Sequence, residues 1–246
     1  MKSFYYPLVL SFLASVSTLV GFLLIFIPRK YEKTIIGFSL SFACGVMFCV
    51  SCFSLIPEAF SYLSFSSFFN ICIVFFFFWI GILFSFLFHL ILSKTISYEL
   101  YRIGIFSFIS LLLHNLPEGV LSFLTMSYDI RLGFSIAIAI MFHNIPEGIL
   151  IAVPIYYESN SWKKAFLMTL VAGFSEFFGS LLAFFFVSSI SLYIFSFLLA
   201  MTAGVMIFLS FFELLPTSFH YKDELFVFSS MIIGILLMLL CLILLK

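Results

Sequence analysis

The sequence carries one six-residue pattern twice, HNLPEG at residues 114–119 and HNIPEG at residues 143–148. On an α-helix, His114 and Glu118 are four residues apart, so they lie on one face, about 5.4 Å apart along the axis. Asn115 lies three residues before the same glutamate. The second copy repeats this spacing with His143, Asn144 and Glu147. Each copy therefore offers an imidazole, an amide and a carboxylate on one face of a helix.

A proline lies inside each copy of the pattern, at Pro117 and Pro146. Proline has no amide hydrogen, so the carbonyl oxygen four residues earlier loses its usual helical partner. The affected carbonyls belong to Leu113 and Phe142. We expect these oxygens to be free for water or a cation.

The composition places both copies in a membrane protein, because 64% of the 246 residues are hydrophobic and only 9% are charged. Uncharged runs of about twenty residues, the length that crosses a bilayer, recur along the whole chain. They predict an all-α integral membrane protein with eight spans in a single domain, residues 1–246. The predicted spans are approximately 8–27, 35–56, 71–92, 103–127, 131–155, 165–187, 192–215 and 225–245.

Four glutamates fall inside predicted spans. An ionised carboxylate at the centre of a membrane helix costs roughly 2.5–3.5 kcal/mol, so it must be protonated, paired with a base or bound to a cation. No lysine or arginine lies deep in a predicted span, which excludes pairing and leaves protonation or a cation. The four residues are Glu118, Glu147, Glu176 and Glu213.

The two histidines favour a transition metal over calcium or magnesium. Imidazole nitrogen with carboxylate oxygen is the ligand set of zinc and its neighbours, whereas calcium and magnesium prefer oxygen alone. With Glu176, the two copies supply two histidines, two asparagines and three glutamates, more than one tetrahedral ion uses. Two adjacent ions bridged by Glu118 and Glu147 fit this count.

A second repetition predicts the architecture. CGVMFCVSCFSLIPEAF at 44–60 aligns without a gap with AGVMIFLSFFELLPTSF at 203–219, and 13–24 aligns with 171–182 at nearly the same offset. Spans 1–3 therefore look like a copy of spans 6–8. Five spans separate equivalent helices, so the second copy must be inverted in the membrane. The predicted arrangement is three, two and three spans, which is common among secondary transporters.

Basic residues predict the orientation, because cytoplasmic loops are enriched in lysine and arginine. With both termini outside, eight basic residues lie inside and three outside, which favours this orientation over its reverse. The inside set is Arg29, Lys30, Lys33, Lys94, Arg102, Lys163, Lys164 and Lys222, and the outside set is Lys2, Arg131 and Lys246.

These residues also carry a resemblance. Two HNxPEG segments on consecutive spans, Glu176 within AGFSEFFGSLLAF and ELLP at 213–216 resemble the ZIP (Zrt/Irt-like) family of divalent-metal transporters, in particular its short ZupT-type branch. The resemblance covers essentially the whole chain. It implies eight spans in a 3+2+3 inverted arrangement with both termini outside, and it implies homodimers.

The resemblance further implies uptake of zinc, and often iron, manganese or cobalt, toward the cytosol as transported substrate rather than cofactor. By motif, one site would use His114, Glu118, His143 and Glu147. The second would use Asn115, Glu118, Asn144, Glu147 and Glu176. Met47 and Glu213 align with pathway residues of some relatives. Some relatives have aspartate where this chain has Asn144, so its second ion is expected to be held with less charge.

Two other functions stay open from the residues alone. An intramembrane metal-dependent hydrolase or oxidase needs an open coordination position and a catalytic base or oxidant, and a channel for protons or monovalent cations could use the same carboxylates. The inverted repeat favours a transporter over an enzyme. The expected partners are divalent metal ions, the lipid bilayer of the plasma (inner) membrane and a second copy of the chain, with no nucleic acid.

Two further polar residues, Glu58 and His89, are expected to lie outside the metal site. Glu58, at the end of span 2, is expected to be solvated at the outer face, with a role at an entrance as the alternative. His89, near the cytoplasmic end of span 3, is expected to be an interface histidine rather than a release-site ligand.

Overall fold

The fold is all-helical over the residues that the computed structural model describes, 5–63, 68–128, 130–186 and 192–244. The α-helices are Tyr5–Phe22, Glu32–Val50, Ile56–Ser61, Phe68–Thr95, Glu99–Tyr128, Ile130–Ser159, Trp162–Phe186, Leu192–Phe208, Leu215–Phe219 and Glu224–Leu244. Short 3₁₀ segments, Leu23–Phe26 and Arg29–Tyr31, join the first two helices.

Eight helical segments in the described part of the chain are long and apolar enough to cross a membrane. They are span 1, Tyr5–Phe26; span 2, Arg29–Ser61; span 3, Phe68–Thr95; span 4, Glu99–Ser127; span 5, Ala137–Ser159; span 6, Trp162–Phe186; span 7, Tyr193–Phe219; and span 8, Glu224–Ile243. The predicted number and order are confirmed.

The ends of the spans differ from the prediction by a few residues. Span 4 begins at Glu99 rather than at 103, because the helix continues through charged residues that the hydropathy pattern assigns to a loop. The predicted gap between spans 6 and 7, residues 188–191, lies outside the described residues, as do part of the gap between spans 2 and 3, residues 57–70, and the terminal residues Lys2 and Lys246.

The spans form two closely packed groups. Spans 1, 4, 5 and 6 pack mainly against one another, and so do spans 2, 3, 7 and 8. The two groups meet mainly where span 2 lies against span 5. The two HNxPEG helices, spans 4 and 5, therefore lie inside the first group and face the second through span 5.

Glycines bring helix backbones into direct contact at two matching places in the first group. A Cβ on Gly21 of span 1 would lie 2.3 Å from the carbonyl oxygen of Ile145 on span 5. A Cβ on Gly179 of span 6 would lie 2.1 Å from the carbonyl oxygen of Leu116 on span 4. Both glycines pack one residue before a motif proline, so they fix spans 1 and 6 closely against the two motifs.

Spans 2 and 7 each change from α- to π-helix near one end. The π-helical segments are Ser51–Leu55 and Leu209–Leu214, and a proline follows each at Pro57 and Pro216. These segments coincide with the two aligned sequences at 44–60 and 203–219. Such π-turns widen the helix locally and occur frequently at functional sites.

Candidate metal centre

A group of polar side chains lies deep between spans 4, 5 and 6. Six of the seven predicted ligands are at most 5% exposed to solvent, although all lie on long apolar helices. These six are His114, Asn115, His143, Asn144, Glu147 and Glu176. The seventh, Glu118, has a side chain that is 17% exposed. The structure thus brings residues from both motifs into one buried region.

Glu118 lies between the two histidines. Its Oε1 is 3.0 Å from Nε2 of His143, and its Oε2 is 3.2 Å from Nε2 of His114. One carboxylate thus faces an imidazole from its own helix and another from the neighbouring helix. Each carboxylate oxygen is directed to a different histidine, so Glu118 connects the two motifs.

The second motif glutamate closes the group. Oε1 of Glu147 lies 3.5 Å from Nε2 of His114. Ligand atoms of His114, His143 and Glu147 all lie within 4.8 Å of one another. Bonds of about 2.0–2.2 Å in a tetrahedron place zinc ligands roughly 3.3 Å apart. The histidine–glutamate distances of 3.0–3.5 Å are close to this spacing, whereas the separations within the group of three extend up to 4.8 Å.

The two asparagines are oriented by matching backbone contacts. Nδ2 of Asn115 donates to the carbonyl oxygen of Ala172 at 3.1 Å, and Nδ2 of Asn144 donates to that of Ala14 at 2.9 Å. The amide oxygens of both asparagines are buried and have no hydrogen-bond partner among the described residues. Since a buried polar atom without a partner is costly, these oxygens are suited to bind a cation.

Glu176 joins the group from span 6. Its Oε2 accepts a hydrogen bond of 2.6 Å from Nδ2 of Asn144, while its Oε1 is buried without a hydrogen-bond partner in the described structure. The carboxylate is completely buried. One of its oxygens is thus held in place and the other remains available as a ligand.

The motif prolines lie inside continuous helices, since span 4 runs through Pro117 and span 5 through Pro146. The helices do not break at these positions. That the carbonyl oxygens of Leu113 and Phe142 bind water or a cation stays a prediction.

The predicted pathway residue Glu213 lies in a separate polar cluster with His89 and Arg102. Nδ1 of His89 contacts Oε1 of Glu213, and Nη2 of Arg102 lies 3.7 Å from its Oε2. The expectation that no basic residue pairs with a span carboxylate is therefore wrong for Glu213. The hydropathy pattern predicts that span 4 begins at residue 103, which places Arg102 in a loop. Met47, the other predicted pathway residue, is buried in the apolar core.

A cavity of about 210 Å³ adjoins the buried group and is lined by Glu118 and His143 at one end. Ser54 and Glu58 of span 2 line the same cavity. Glu58 was expected to be solvated at the outer face, but it lines the cavity that adjoins the buried group. Ser54 could have been found from the repeat, because the alignment of 44–60 with 203–219 pairs it with Glu213.

A model of the ZIP zinc transporter family matches residues 97–242, more than half of the chain and all of the HNxPEG region. The chain belongs to the ZIP family. ZIP proteins are transporters, so the expectation of a transporter rather than an enzyme is confirmed.

Curated relatives extend the match to the whole chain. A protein named zinc transporter ZupT from Streptococcus mutans is 34% identical over 257 aligned positions, covering 94% of each chain. One of the same name from Chlorobium luteolum is 32% identical over the full length of both chains. A third, from Oceanobacillus iheyensis, is 42% identical over 60% of this chain and 55% of its own. The predicted ZIP family and ZupT-type resemblance are confirmed.

Proposed function

We propose that this chain carries zinc across a membrane toward the cytosol by binding it at the buried group of spans 4, 5 and 6. The observation that carries the proposal is the convergence of His114, His143 and Glu147, whose ligand atoms lie within 4.8 Å of one another. These residues come from two separate helices and are buried in a membrane protein. Their desolvation is costly unless a cation or a proton compensates it, and the convergence of imidazole with carboxylate favours a cation.

Zinc is the proposed substrate because the ligands suit it and the curated relatives are named for it. Iron, manganese and cobalt also bind imidazole and carboxylate. The order of their affinities depends mainly on the metal, so these ligands alone do not exclude them. We therefore propose zinc as the principal substrate, with these three ions as competitors.

Two adjacent ions are proposed for the full ligand set. One would be held by His114, Glu118, His143 and Glu147, and the other by Asn115, Glu118, Asn144, Glu147 and Glu176. Glu118 and Glu147 belong to both sets, and as a bridge Glu118 would turn one of its two oxygens, which now both face histidines, toward the second ion. The second position combines neutral amide oxygens with carboxylates, so it would hold an ion less tightly than one made with an additional aspartate.

We also propose that the chain is an inverted repeat, with spans 1–3 related to spans 6–8 and span 4 related to span 5. The paired contacts of Gly21 with span 5 and Gly179 with span 4 support this relationship. The hydrogen bonds of Asn144 to Ala14 and of Asn115 to Ala172 support it further, since Ala14 and Ala172 are aligned in the repeat. Transport would follow from rearrangement of the spans around the midplane site.

Both termini are proposed to lie outside, in the plasma (inner) membrane. Several basic loops lie together on the opposite side. Arg29 contacts Oδ1 of Asn160 in the loop between spans 5 and 6, and Lys222 lies against Gly37 near the start of span 2. An impermeant maleimide applied to intact cells should label a Ser61→Cys variant above the parent level but should label Asp223→Cys only after lysis. The reverse pattern would overturn the orientation.

Zinc uptake into proteoliposomes tests the function. We expect saturable uptake by the wild-type chain and its loss in Glu147→Ala, because the variant removes a ligand of both proposed ions. Glu224→Ala is the matched control, since it removes a carboxylate from the exposed start of span 8 and should transport normally. The decrease in zinc uptake caused by an excess of manganese, iron or cobalt ranks these ions as competitors. Equal uptake by wild type and Glu147→Ala would contradict the proposal.

A homodimer and pathway roles for Met47 and Glu213 complete the proposal. Light scattering of the purified protein in detergent measures its mass, and a monomer in native-like nanodiscs would exclude the dimer. Met47→Ala and Glu213→Gln should slow zinc uptake while leaving zinc binding at the buried group intact.

A further inference from the structure

The cavity beside the buried group runs toward one membrane face. It is lined by Glu118, Ser122 and Thr125 along span 4, and by Val50 and Glu58 along span 2. At a rise of 1.5 Å per residue, the span 4 residues alone cover about 10 Å of depth. On both helices the lining extends from the buried region toward the carboxyl-terminal end. Because spans 2 and 4 run in the same direction through the bilayer, these ends lie on the same face.

The other lining residues point to the same face. On span 5, which runs in the opposite direction, the lining extends from His143 back to Ala139, and on span 8 it reaches Leu242 near the end of the chain. This face also carries the start of span 1 and the end of span 8. The cavity thus leads from the candidate metal centre to the side on which both termini are proposed to lie.

Of the two carboxylates that line the cavity, Glu58 lies nearer that face and Glu118 lies deeper. Glu58 lies three residues before the last residue of span 2, and it is partly exposed, whereas His143 at the inner end of the cavity is only 5% exposed. Nε2 of His143 lies 3.0 Å from Oε1 of Glu118. A cation in the cavity would therefore have a carboxylate at the mouth and an imidazole beside a second carboxylate at the inner end.

The carboxylate of Glu58 is held by a neighbouring tyrosine. It accepts a hydrogen bond from the side chain of Tyr62, one helical turn further along. Burial and the nearby carboxylate raise the pKa of Tyr62 to about 12, so the phenol keeps its proton and remains a donor. This contact occupies part of the acceptor capacity of Glu58 and leaves the rest of the carboxylate for a ligand.

We propose that Glu58 is the first protein ligand of an arriving divalent cation, capturing it at the cavity mouth before transfer to Glu118 and His143. The inference rests on the proposed function. A carboxylate in a low-dielectric cleft concentrates cations and raises their rate of capture. Glu58 therefore sets the apparent affinity for zinc during transport, whereas the buried group sets the binding that is coupled to the rearrangement of the spans.

Initial rates of zinc uptake into proteoliposomes test this assignment with Glu58→Gln, which keeps the shape of the side chain and removes its charge. We expect KM to rise about tenfold with kcat within about twofold of wild type, because capture is impaired and later steps are not. Salt screens the attraction between zinc and the charge of Glu58. Because Glu58→Gln lacks this charge, raising the ionic strength should increase KM less in the variant than in wild type. Glu224→Gln, at the opposite face, controls for net charge and should retain wild-type values.

Two further variants separate capture from a structural role. Tyr62→Phe removes the hydrogen bond but keeps the carboxylate, so its KM should stay within about twofold of wild type. Adding Ser54→Asp to Glu58→Gln restores a carboxylate one turn deeper in the same cavity and should lower KM again. An unchanged KM in Glu58→Gln, a fall in kcat alone, or no recovery in the double variant would overturn the capture role.

Different outcomes would contradict the proposed function and the role of Glu58. If the wild-type chain moves no zinc, or if Glu147→Ala moves it normally, transport through the buried group is wrong. If wild type transports, Glu147→Ala does not, and Glu58→Gln matches wild type, transport stands and only the role of Glu58 is lost.

Discussion

Asn144 on span 5 donates a hydrogen bond of 2.6 Å to the carboxylate of Glu176 on span 6. This contact neutralises no charge, so Glu176 depends on a bound cation or a proton for compensation in its buried position. The same amide nitrogen also donates to the carbonyl oxygen of Ala14. Asn144 therefore links spans 1, 5 and 6 while its own oxygen stays available as a ligand.

Asn144→Asp should increase zinc binding at the second proposed position. The substitution replaces a neutral ligand with a carboxylate next to Glu176, and a divalent cation is the natural compensation for two adjacent negative charges. Isothermal titration in detergent at neutral pH should show a higher number of tightly bound zinc ions per chain than in wild type. The same number with the same affinity would contradict a second ion at Asn144. Asn160→Asp, in the loop after span 5, is the control.

The first-motif histidine provides a second test. His114→Ala removes an imidazole that lies 3.2 Å from Glu118 and 3.5 Å from Glu147. Loss of a group that only supports a ligand costs about 10-fold to 100-fold in metal affinity, so loss of this proposed ligand should cost at least about 10-fold. His220→Ala is a suitable control, because His220 is exposed in the loop after span 7 and contacts Glu99 rather than the buried group. Equilibrium zinc titration of both variants makes the comparison. Equal losses of affinity would indicate a general effect of removing histidines.

Much of this arrangement was accessible from the sequence because membrane helices have a strong and local signal. The eight spans, and the placement of His114 and Glu118 on one helix face, follow from apolar run length and from helical periodicity. The hydrogen bonds of the asparagines to Ala14 and Ala172 could not be predicted, because they depend on how closely spans 1 and 6 approach spans 5 and 4. The pairing of Arg102 with Glu213 does not follow from the hydropathy pattern, because that pattern places the charged start of span 4 in a loop.

Zinc binding should weaken as the pH falls. Imidazole and carboxylate ligands bind zinc only when deprotonated, so protons compete with the metal for His114, His143, Glu118 and Glu147. We expect the apparent dissociation constant for zinc to increase steadily from pH 7.5 to pH 5, when measured by titration of the detergent-solubilised protein. A constant affinity over this range would contradict ligation by these side chains. The Glu147→Ala variant should show a smaller increase, because it has one fewer ligand that can be protonated.

Gly119→Ala should destabilise the protein although it changes no ligand and no charge. A Cβ at position 119 would lie 1.8 Å from the carbonyl oxygen of Glu176, so spans 4 and 6 would have to move apart at the site. The added methyl group meets a helix backbone, which cannot relax as a side chain does, and overpacking of this kind costs typically about 1–3 kcal/mol. Gly37→Ala is the matched control, because its Cβ would meet the flexible side chain of Lys222. Thermal unfolding in detergent should show a clear decrease in Tm for Gly119→Ala and a small change for Gly37→Ala.

The displaced carbonyl belongs to Glu176 itself, so zinc should also stabilise Gly119→Ala less than it stabilises wild type. Equal zinc-induced increases in Tm would show that the ligand geometry does not depend on this helix contact.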